Sequence, residues 1–83
     1  MINTCVDRGH FMIFCQRLRD LRMDRDKSQA EIAKIIGTSQ SYYAQYENGK
    51  RIISFERAVI LARYYNVSLD YIAGLSDIPK KLN

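Results

Sequence analysis

The sequence predicts an all-α fold of five short helices around one small hydrophobic core. Apolar residues recur at intervals of three or four along most of the chain, without the two-residue alternation or hairpin turns of a sheet. A length of 83 residues suits one domain and limits the size of its core. We expect a loose N-terminal arm over residues 1–12, a helical domain over 13–75 and a tail over 76–83.

The first helix is predicted by apolar residues near the start of the chain. Phe14, Leu18 and Leu21 recur at helical spacing, which predicts an amphipathic helix over residues 13–25. Upstream, residues 7–9 are two charged residues followed by a glycine, which is typical of a turn. For this reason we expect the chain before the helix to be irregular.

The second helix has a clear start and a clear end. Ser28 is followed three residues later by Glu31, which is the spacing of a capping box. Gly37 can adopt the left-handed backbone conformation that terminates a helix. The apolar stripe between them consists of Ile32, Ala33 and Ile36.

Three more helices are predicted downstream, each with a serine at its N-cap. Ser39 precedes a helix over residues 40–48 that Gly49 ends, and Ser54 precedes the fourth helix. Ser68 starts a short fifth helix. The predicted buried side of the fourth helix consists of Phe55, Ala58, Leu61, Ala62 and Tyr65.

The third helix separates two kinds of side chain. At about 100° per residue, Tyr43, Tyr46 and Glu47 fall on one side. The opposite side carries small amides, hydroxyls and a methyl group: Gln40, Ser41, Ala44, Gln45 and Asn48. Such a side is an ordinary solvated face in most short helices, and that interpretation stays open.

DNA base reading is the functional alternative for this polar face. It carries no long charged side chain, although solubility alone would favour one there. Its glutamine amides can donate and accept together, which fits adenine N6 and N7 in the major groove, and the Ala44 methyl suits a thymine methyl. Lys50 and Arg51 follow the helix directly, where they can contact phosphates. The formal net charge of +4 is compatible with a polyanionic partner.

Other function classes have little support. Two cysteines, Cys5 and Cys15, and one histidine, His10, do not form a metal-ligand set, and no orienting acid accompanies them as in a nucleophilic site. We therefore predict no enzyme, no metal and no cofactor. No apolar run is long enough for a bilayer or a signal peptide, so we expect a cytoplasmic protein without membrane contact.

Over about residues 13–75 the chain resembles the helix-turn-helix family of phage repressors, Cro proteins and related bacterial regulators, the XRE-like type. The matching positions are Gln29 at the start of the second helix, Ala33 at the helix crossing, Gly37 in the turn, and the buried Tyr43 and Tyr46. The run 46–51 is similar to the exit from the family's recognition helix, and 67–72 to the start of its fifth helix. The resemblance implies a lambda-repressor-like DNA-binding domain.

The resemblance also implies roles for individual residues. Base-contacting positions of the recognition helix match Gln40, Ser41 and Gln45, and Ala44 lies between them. Positions that contact phosphates or the DNA backbone match Gln29, Tyr42, Lys50 and Arg51. Arg22 and Glu47 match a partly buried ion pair between the first helix and the end of the third.

These observations together predict a sequence-specific transcriptional regulator, of repressor type, that binds double-stranded DNA. A homodimer would place two recognition helices about 34 Å apart on a near-palindromic operator. Apolar residues expected at the surface and available for such a contact are Ile52, Ile53, Ile60, Tyr64 and Tyr71. The alternative is an antitoxin or anti-regulator that acts mainly by binding another protein.

Overall fold

The computed structural model describes residues 8–78, which form five α-helices and contain no strand. This confirms the predicted all-α class. The helices are α1 (Arg8–Asp24), α2 (Gln29–Ile35), α3 (Gln40–Glu47), α4 (Phe55–Tyr65) and α5 (Leu69–Ala73). None of these helices has the length and apolar character that crossing a bilayer requires.

The core lies where α1 meets α3 and α5, and α2 packs along α3. Three tyrosines, Tyr43, Tyr46 and Tyr65, are among its largest fully buried side chains. Leu18 and Leu61 of the same core are completely buried. Aromatic rings give a domain of this size much buried area per residue, which a small core needs.

The predicted helix boundaries are confirmed at the capped ends. The side chains of Ser28, Ser39, Ser54 and Ser68 each accept a hydrogen bond from a backbone N–H in the first turn of the following helix. Ser28 and Glu31 form the complete capping box, with Glu31 accepting from the Ser28 N–H at 2.8 Å. Backbone groups that would otherwise be unpaired at the helix starts are thereby satisfied.

The start of α1 differs from the prediction. The helix begins at Arg8 instead of residue 13, so residues 8–12, expected in a loose arm, are helical. Phe11 packs against the core one turn before Phe14 and Cys15, which continues the apolar stripe upstream. Gly9 was expected in a turn but lies in the first turn of α1, outside the helix interior where a glycine costs about 1 kcal/mol. The rest of the predicted arm lies outside the described residues.

Two predictions about apolar side chains were wrong. Phe55 was expected in the core but is 73% exposed, because it is the first residue of α4 and lies at the domain edge. Ile53 was expected at the surface but is buried in the core, while its neighbour Ile52 is 77% exposed. The loop between α3 and α4 therefore turns one isoleucine inward and the other outward.

Arg17 fastens the end of the described chain to α1. Its guanidinium donates to the backbone carbonyls of Tyr71 and Ser76 and to Asp77 Oδ1, the last at 2.8 Å. It also lies over the Tyr71 ring, 4.1 Å from the centroid. The carbonyls at the C-terminal end of α5 thus have a cationic donor, which suits the negative end of the helix dipole.

Candidate nucleic-acid interface

A short turn sets the angle between α2 and α3. Gly37 has a φ of +79°, and the backbone N–H of Thr38 donates to the Ala33 carbonyl at 2.9 Å, which closes the end of α2. Ser39 then caps α3 at once. Because few residues separate the helices, α3 leaves α2 at a fixed angle and projects its polar side outward.

The inward side of α3 is the one that the helical wheel predicts. Tyr43, Tyr46 and Glu47 are 0%, 2% and 2% exposed. Within residues 8–78 the buried hydroxyls of Tyr43 and Tyr65 have no hydrogen-bond partner, and burial is the largest cause of the raised pKa of both phenols. The Tyr43 hydroxyl lies near the Glu47 carboxylate but does not reach hydrogen-bond geometry.

Glu47 forms a bidentate ion pair with Arg22 of α1. Arg22 Nε donates to Glu47 Oε2 at 2.7 Å, and Arg22 Nη2 donates to Oε1 at 3.1 Å. The two side chains are only 15% and 1% exposed, respectively. Arg19 Nε lies 3.9 Å from the same carboxylate. The family resemblance implied the ion pair between Arg22 and Glu47, which joins α1 to the end of α3.

The environment of Glu47 keeps its carboxyl group ionised. Burial alone would raise its pKa, but hydrogen bonds from Arg22 and Gln29 outweigh burial and hold the pKa below its ordinary value. The pKa of Arg22 is raised by the same hydrogen bond. A charged acid can therefore occupy α3 without adding a free negative charge to the exposed side of the helix.

A chain of hydrogen bonds links this ion pair to the polar face. Gln29 Nε2 donates to Glu47 Oε1 at 3.1 Å, and Gln40 Nε2 donates to Gln29 Oε1 at 3.3 Å. Gln29, expected at a phosphate-contacting position, is half-buried and joins the starts of α2 and α3. Its amide therefore connects Gln40 to the buried Glu47.

The polar face is accessible along α3. Gln40 and Ser41 are exposed, and Ala44 and Gln45 are half-exposed one turn further on. These four predicted base-contacting residues thus occupy one continuous surface. Small side chains at two of the four positions leave the helix backbone open to close approach.

The predicted phosphate contacts Lys50 and Arg51 lie beside this face and are both exposed. Gly49, with a φ of +77°, reverses the chain, and the backbone N–H groups of Lys50 and Arg51 donate to the Gln45 carbonyl at 2.9 and 3.3 Å. Tyr42, half-buried, packs edge-on against Tyr46, with ring centroids 5.7 Å apart. The exit from α3 is thereby folded back against its own last turn.

Sequence reasoning missed Arg57, which holds the turn in place. From the first turn of α4 it donates to the carbonyls of Ile36 and Gly37 at 3.1 and 3.2 Å and to the Tyr46 hydroxyl at 3.1 Å. One signal was available in the sequence. A cation in the first turn of a helix opposes the helix dipole, so such a residue suggests a partner elsewhere.

The one described cysteine has no features of a reactive site. Cys15 is buried, and burial is the main cause of the raised pKa of its thiol. A raised pKa reduces the thiolate fraction and hence the nucleophilicity at neutral pH. Cys5 lies outside the described residues.

The geometry is that of two helices joined by a tight turn, the second exposing a polar face. A family model described as helix-turn-helix matches residues 18–72, which include all of α2 and α3. The chain belongs to the helix-turn-helix family. Its similarity to known members is of the XRE-like type that the resemblance indicated.

Two curated relatives show this membership in detail. The uncharacterized HTH-type transcriptional regulator YobD of Bacillus subtilis is 43% identical over 67 residues, 81% of this chain and 60% of the relative. The cryptic phage CTXphi transcriptional repressor RstR of Vibrio cholerae is 37% identical over 65 residues, 78% and 59% of the two chains. This helix-turn-helix chain therefore spans about 60% of the length of these relatives.

The fold is also that of a solved repressor. The P22 c2 repressor, in a structure with a synthetic operator, superposes with a TM-score of 0.71 at 23% identity, over 77% of this chain and 97% of that one. At this identity the likeness establishes the fold. The helix-turn-helix chain thus has the lambda-repressor-like architecture that the family resemblance implied.

Proposed function

We propose that this protein is a sequence-specific transcriptional regulator, of repressor type, that inserts α3 into the major groove of DNA. The observation that carries the proposal is the division of α3 into a buried tyrosine side and an exposed side of amides, a hydroxyl and a methyl group. Phage repressor and regulator relatives support it. The helix is short enough to lie in one major groove, and its polar groups suit base edges.

Electrostatics favour this orientation on DNA. Lys50 and Arg51 lie at the exit of α3, where cations can meet the phosphates that border the groove. The acid of α3, Glu47, is turned inward and paired with Arg22, so it does not repel the DNA backbone. The exposed side of the helix is then neutral, and its specificity depends on hydrogen bonds.

We further propose that the protein binds as a homodimer to a near-palindromic operator. One eight-residue recognition helix covers only a few base pairs, so a single copy should bind weakly. Exposed apolar side chains remain near the exit of α3, where Ile52 is 77% and Phe55 73% exposed. Sedimentation with and without operator DNA tests the stoichiometry, and one copy per operator would contradict a dimer.

Selection from random DNA tests the proposed function directly. The purified protein is incubated with a randomised duplex library at a fixed salt concentration, and bound fragments are sequenced. We expect one enriched motif with two inverted half-sites about one helical turn apart. Enrichment of no motif would overturn sequence-specific regulation and would favour the alternative of an antitoxin or anti-regulator that binds protein.

A variant of the exposed face then tests α3 as the reading helix. Gln45→Ala should weaken binding to the selected site by about 1–3 kcal/mol and relax preference at one base position. Gln16→Ala, at an exposed glutamine of α1 that lies outside the polar face, is the matched control. Equal losses on selected and scrambled DNA would remove Gln45 from the reading face.

A further inference from the structure

The side chain of Gln45 is not free at the polar face, because Arg51 is bound to it. Arg51 Nε donates to Gln45 Oε1 at 3.2 Å. The backbone bonds from residues 50 and 51 to the Gln45 carbonyl bring the two side chains together. The opposite end of the Gln45 amide, Nε2, faces the Ser41 carbonyl at 3.4 Å, a long hydrogen bond.

The chemistry of arginine fixes which way the amide faces. A guanidinium carries only donors, so the Gln45 atom that meets it must be the carbonyl oxygen. The amide NH₂ group is then the end of Gln45 available to a base. Arg51 Nη1 and Nη2 are also donors, and within residues 8–78 the structure records a hydrogen bond for Nε alone.

Tyr42 holds the arginine in this position. The Arg51 guanidinium carbon lies 4.4 Å from the centroid of the Tyr42 ring, a cation–π contact. The Tyr42 ring packs edge-on against the buried Tyr46. Arg51 is thereby stacked on a ring that the core supports, in a fixed orientation beside the last turn of α3.

We propose that Gln45 and Arg51 act as one unit that reads guanine. The inference rests on the proposed function and adds the base and the second residue. A free glutamine presents a donor and an acceptor, which suits adenine, whereas this pair presents NH₂ and guanidinium donors side by side. Guanine offers two acceptors, O6 and N7, on its major-groove edge, and adenine offers only one. Arg51 is then a specificity-determining residue as well as a positive charge near the phosphates.

The test compares base preference at the operator position that Gln45→Ala relaxes. For the unchanged protein we expect guanine at that position, favoured over adenine by about 10- to 100-fold in Kd. Arg51→Met removes the donors and the charge and should abolish or reverse this preference. Arg51→Lys keeps the charge but lacks the planar fork, so it should also lose the preference while keeping most of the affinity for scrambled DNA.

Lys50→Ala is the matched control, because Lys50 is the neighbouring exposed cation of the same loop. It should weaken binding to guanine and adenine operators equally. If the two residues act as one unit, the double variant Gln45→Ala with Arg51→Met should lose no more of the preference for guanine over adenine than either single variant loses.

The failures of the two proposals are distinguishable. A motif with adenine at that position, or Arg51 variants that weaken all sequences alike, would overturn the guanine pair and leave sequence-specific binding in place. Absence of any selected motif would overturn the proposed function itself. Arg51 is exposed, so its variants should keep the thermal unfolding midpoint of the parent within a few degrees.

Discussion

Removal of the Glu47 carboxylate should destabilise the domain far more than an exposed acid would. The carboxylate is 1% exposed and accepts from Arg22 at 2.7 and 3.1 Å and from Gln29 at 3.1 Å. Glu47→Ala leaves the 15% exposed guanidinium of Arg22 without its counter-charge. Breaking one partner of a buried pair typically costs about 3–5 kcal/mol.

This loss is large relative to the whole domain. A chain of 83 residues has a free energy of unfolding of roughly 4–12 kcal/mol. A 3 kcal/mol loss should lower the midpoint of thermal unfolding by about 12–24 °C. Glu47→Gln, which keeps the shape and one acceptor oxygen, makes the measurement accessible if the alanine variant does not fold.

Urea unfolding followed by circular dichroism supplies the assay, with a double-mutant cycle. The cycle compares Glu47→Leu, Arg22→Met and the double variant. Replacing both partners by apolar residues should recover much of the loss, because no buried charge remains and Gln29 is partly exposed and can turn to water. Glu56→Ala, at an exposed position in the first turn of α4, is the control and should cost less than about 1 kcal/mol.

A double variant that loses as much stability as the two single variants together would contradict the stabilising interaction between Arg22 and Glu47. Additive losses would mean that the two side chains contribute by packing and not through their mutual interaction. A coupling free energy of about 3 kcal/mol or more is the expected result, given single losses in the range above.

The protonation of Glu47, the turn before α3 and the loop after it can each be tested by a single substitution. The pKa of Glu47 is lowered in the folded state, so its ionised carboxylate should stabilise the fold at pH values above the ordinary glutamate pKa of about 4.3. This contribution should be lost as the pH falls through the folded-state pKa. Glu47→Gln should therefore flatten the dependence of the urea-derived free energy of unfolding on pH below about pH 4. Arg57→Ala removes three hydrogen bonds at the turn and should lower the free energy of unfolding in urea by about 2–3 kcal/mol. If Arg57→Lys kept full stability, the positive charge alone would be sufficient. Lys50→Ala should lower the slope of log K against log salt by about 1, and an unchanged slope would remove it from the phosphate contacts. Gly49→Ala should lower the free energy of unfolding by about 1–2 kcal/mol, because φ at this position is +77°. The added Cβ would have room, since its nearest neighbour, Phe11 Cε2, is 3.4 Å away. A neutral effect in urea unfolding would therefore show that the loop backbone relaxes.

Local chemistry made much of the fold predictable. A serine at an N-cap interacts with amides two or three residues away, so the starts of four helices could be read from adjacent positions. The division of α3 also follows from local spacing, because the helical period alone places Tyr43 and Tyr46 together. The pairing of Arg22 with Glu47 came from the family resemblance, since 25 residues separate them.

Features that depend on distant neighbours could not be predicted in the same way. Phe55 continues the apolar periodicity of α4 but is exposed. A residue at the end of an apolar helix face is buried only if a neighbouring helix or loop extends far enough to pack on it, and the periodicity of α4 does not contain that information. Arg57 contacts carbonyls 20 and 21 positions away, and no periodicity encodes such a bond. The hydrogen bond between Arg51 and Gln45 requires the exact reversal of the chain at Gly49.

Stability and recognition meet in α3, but they use opposite sides of it. The inward side is held by a buried acid whose charge is matched within the domain, so that acid adds no free negative charge to the outward side. Among residues 8–78, two sets of contacts connect the outward side to the inward one: Gln40 through Gln29 to Glu47, and Arg51 through Tyr42 to Tyr46. A change in the core should therefore alter base preference only where it reaches one of these two connections. A loss of stability at Tyr65, which has no such connection, should leave the preference of the folded fraction unchanged.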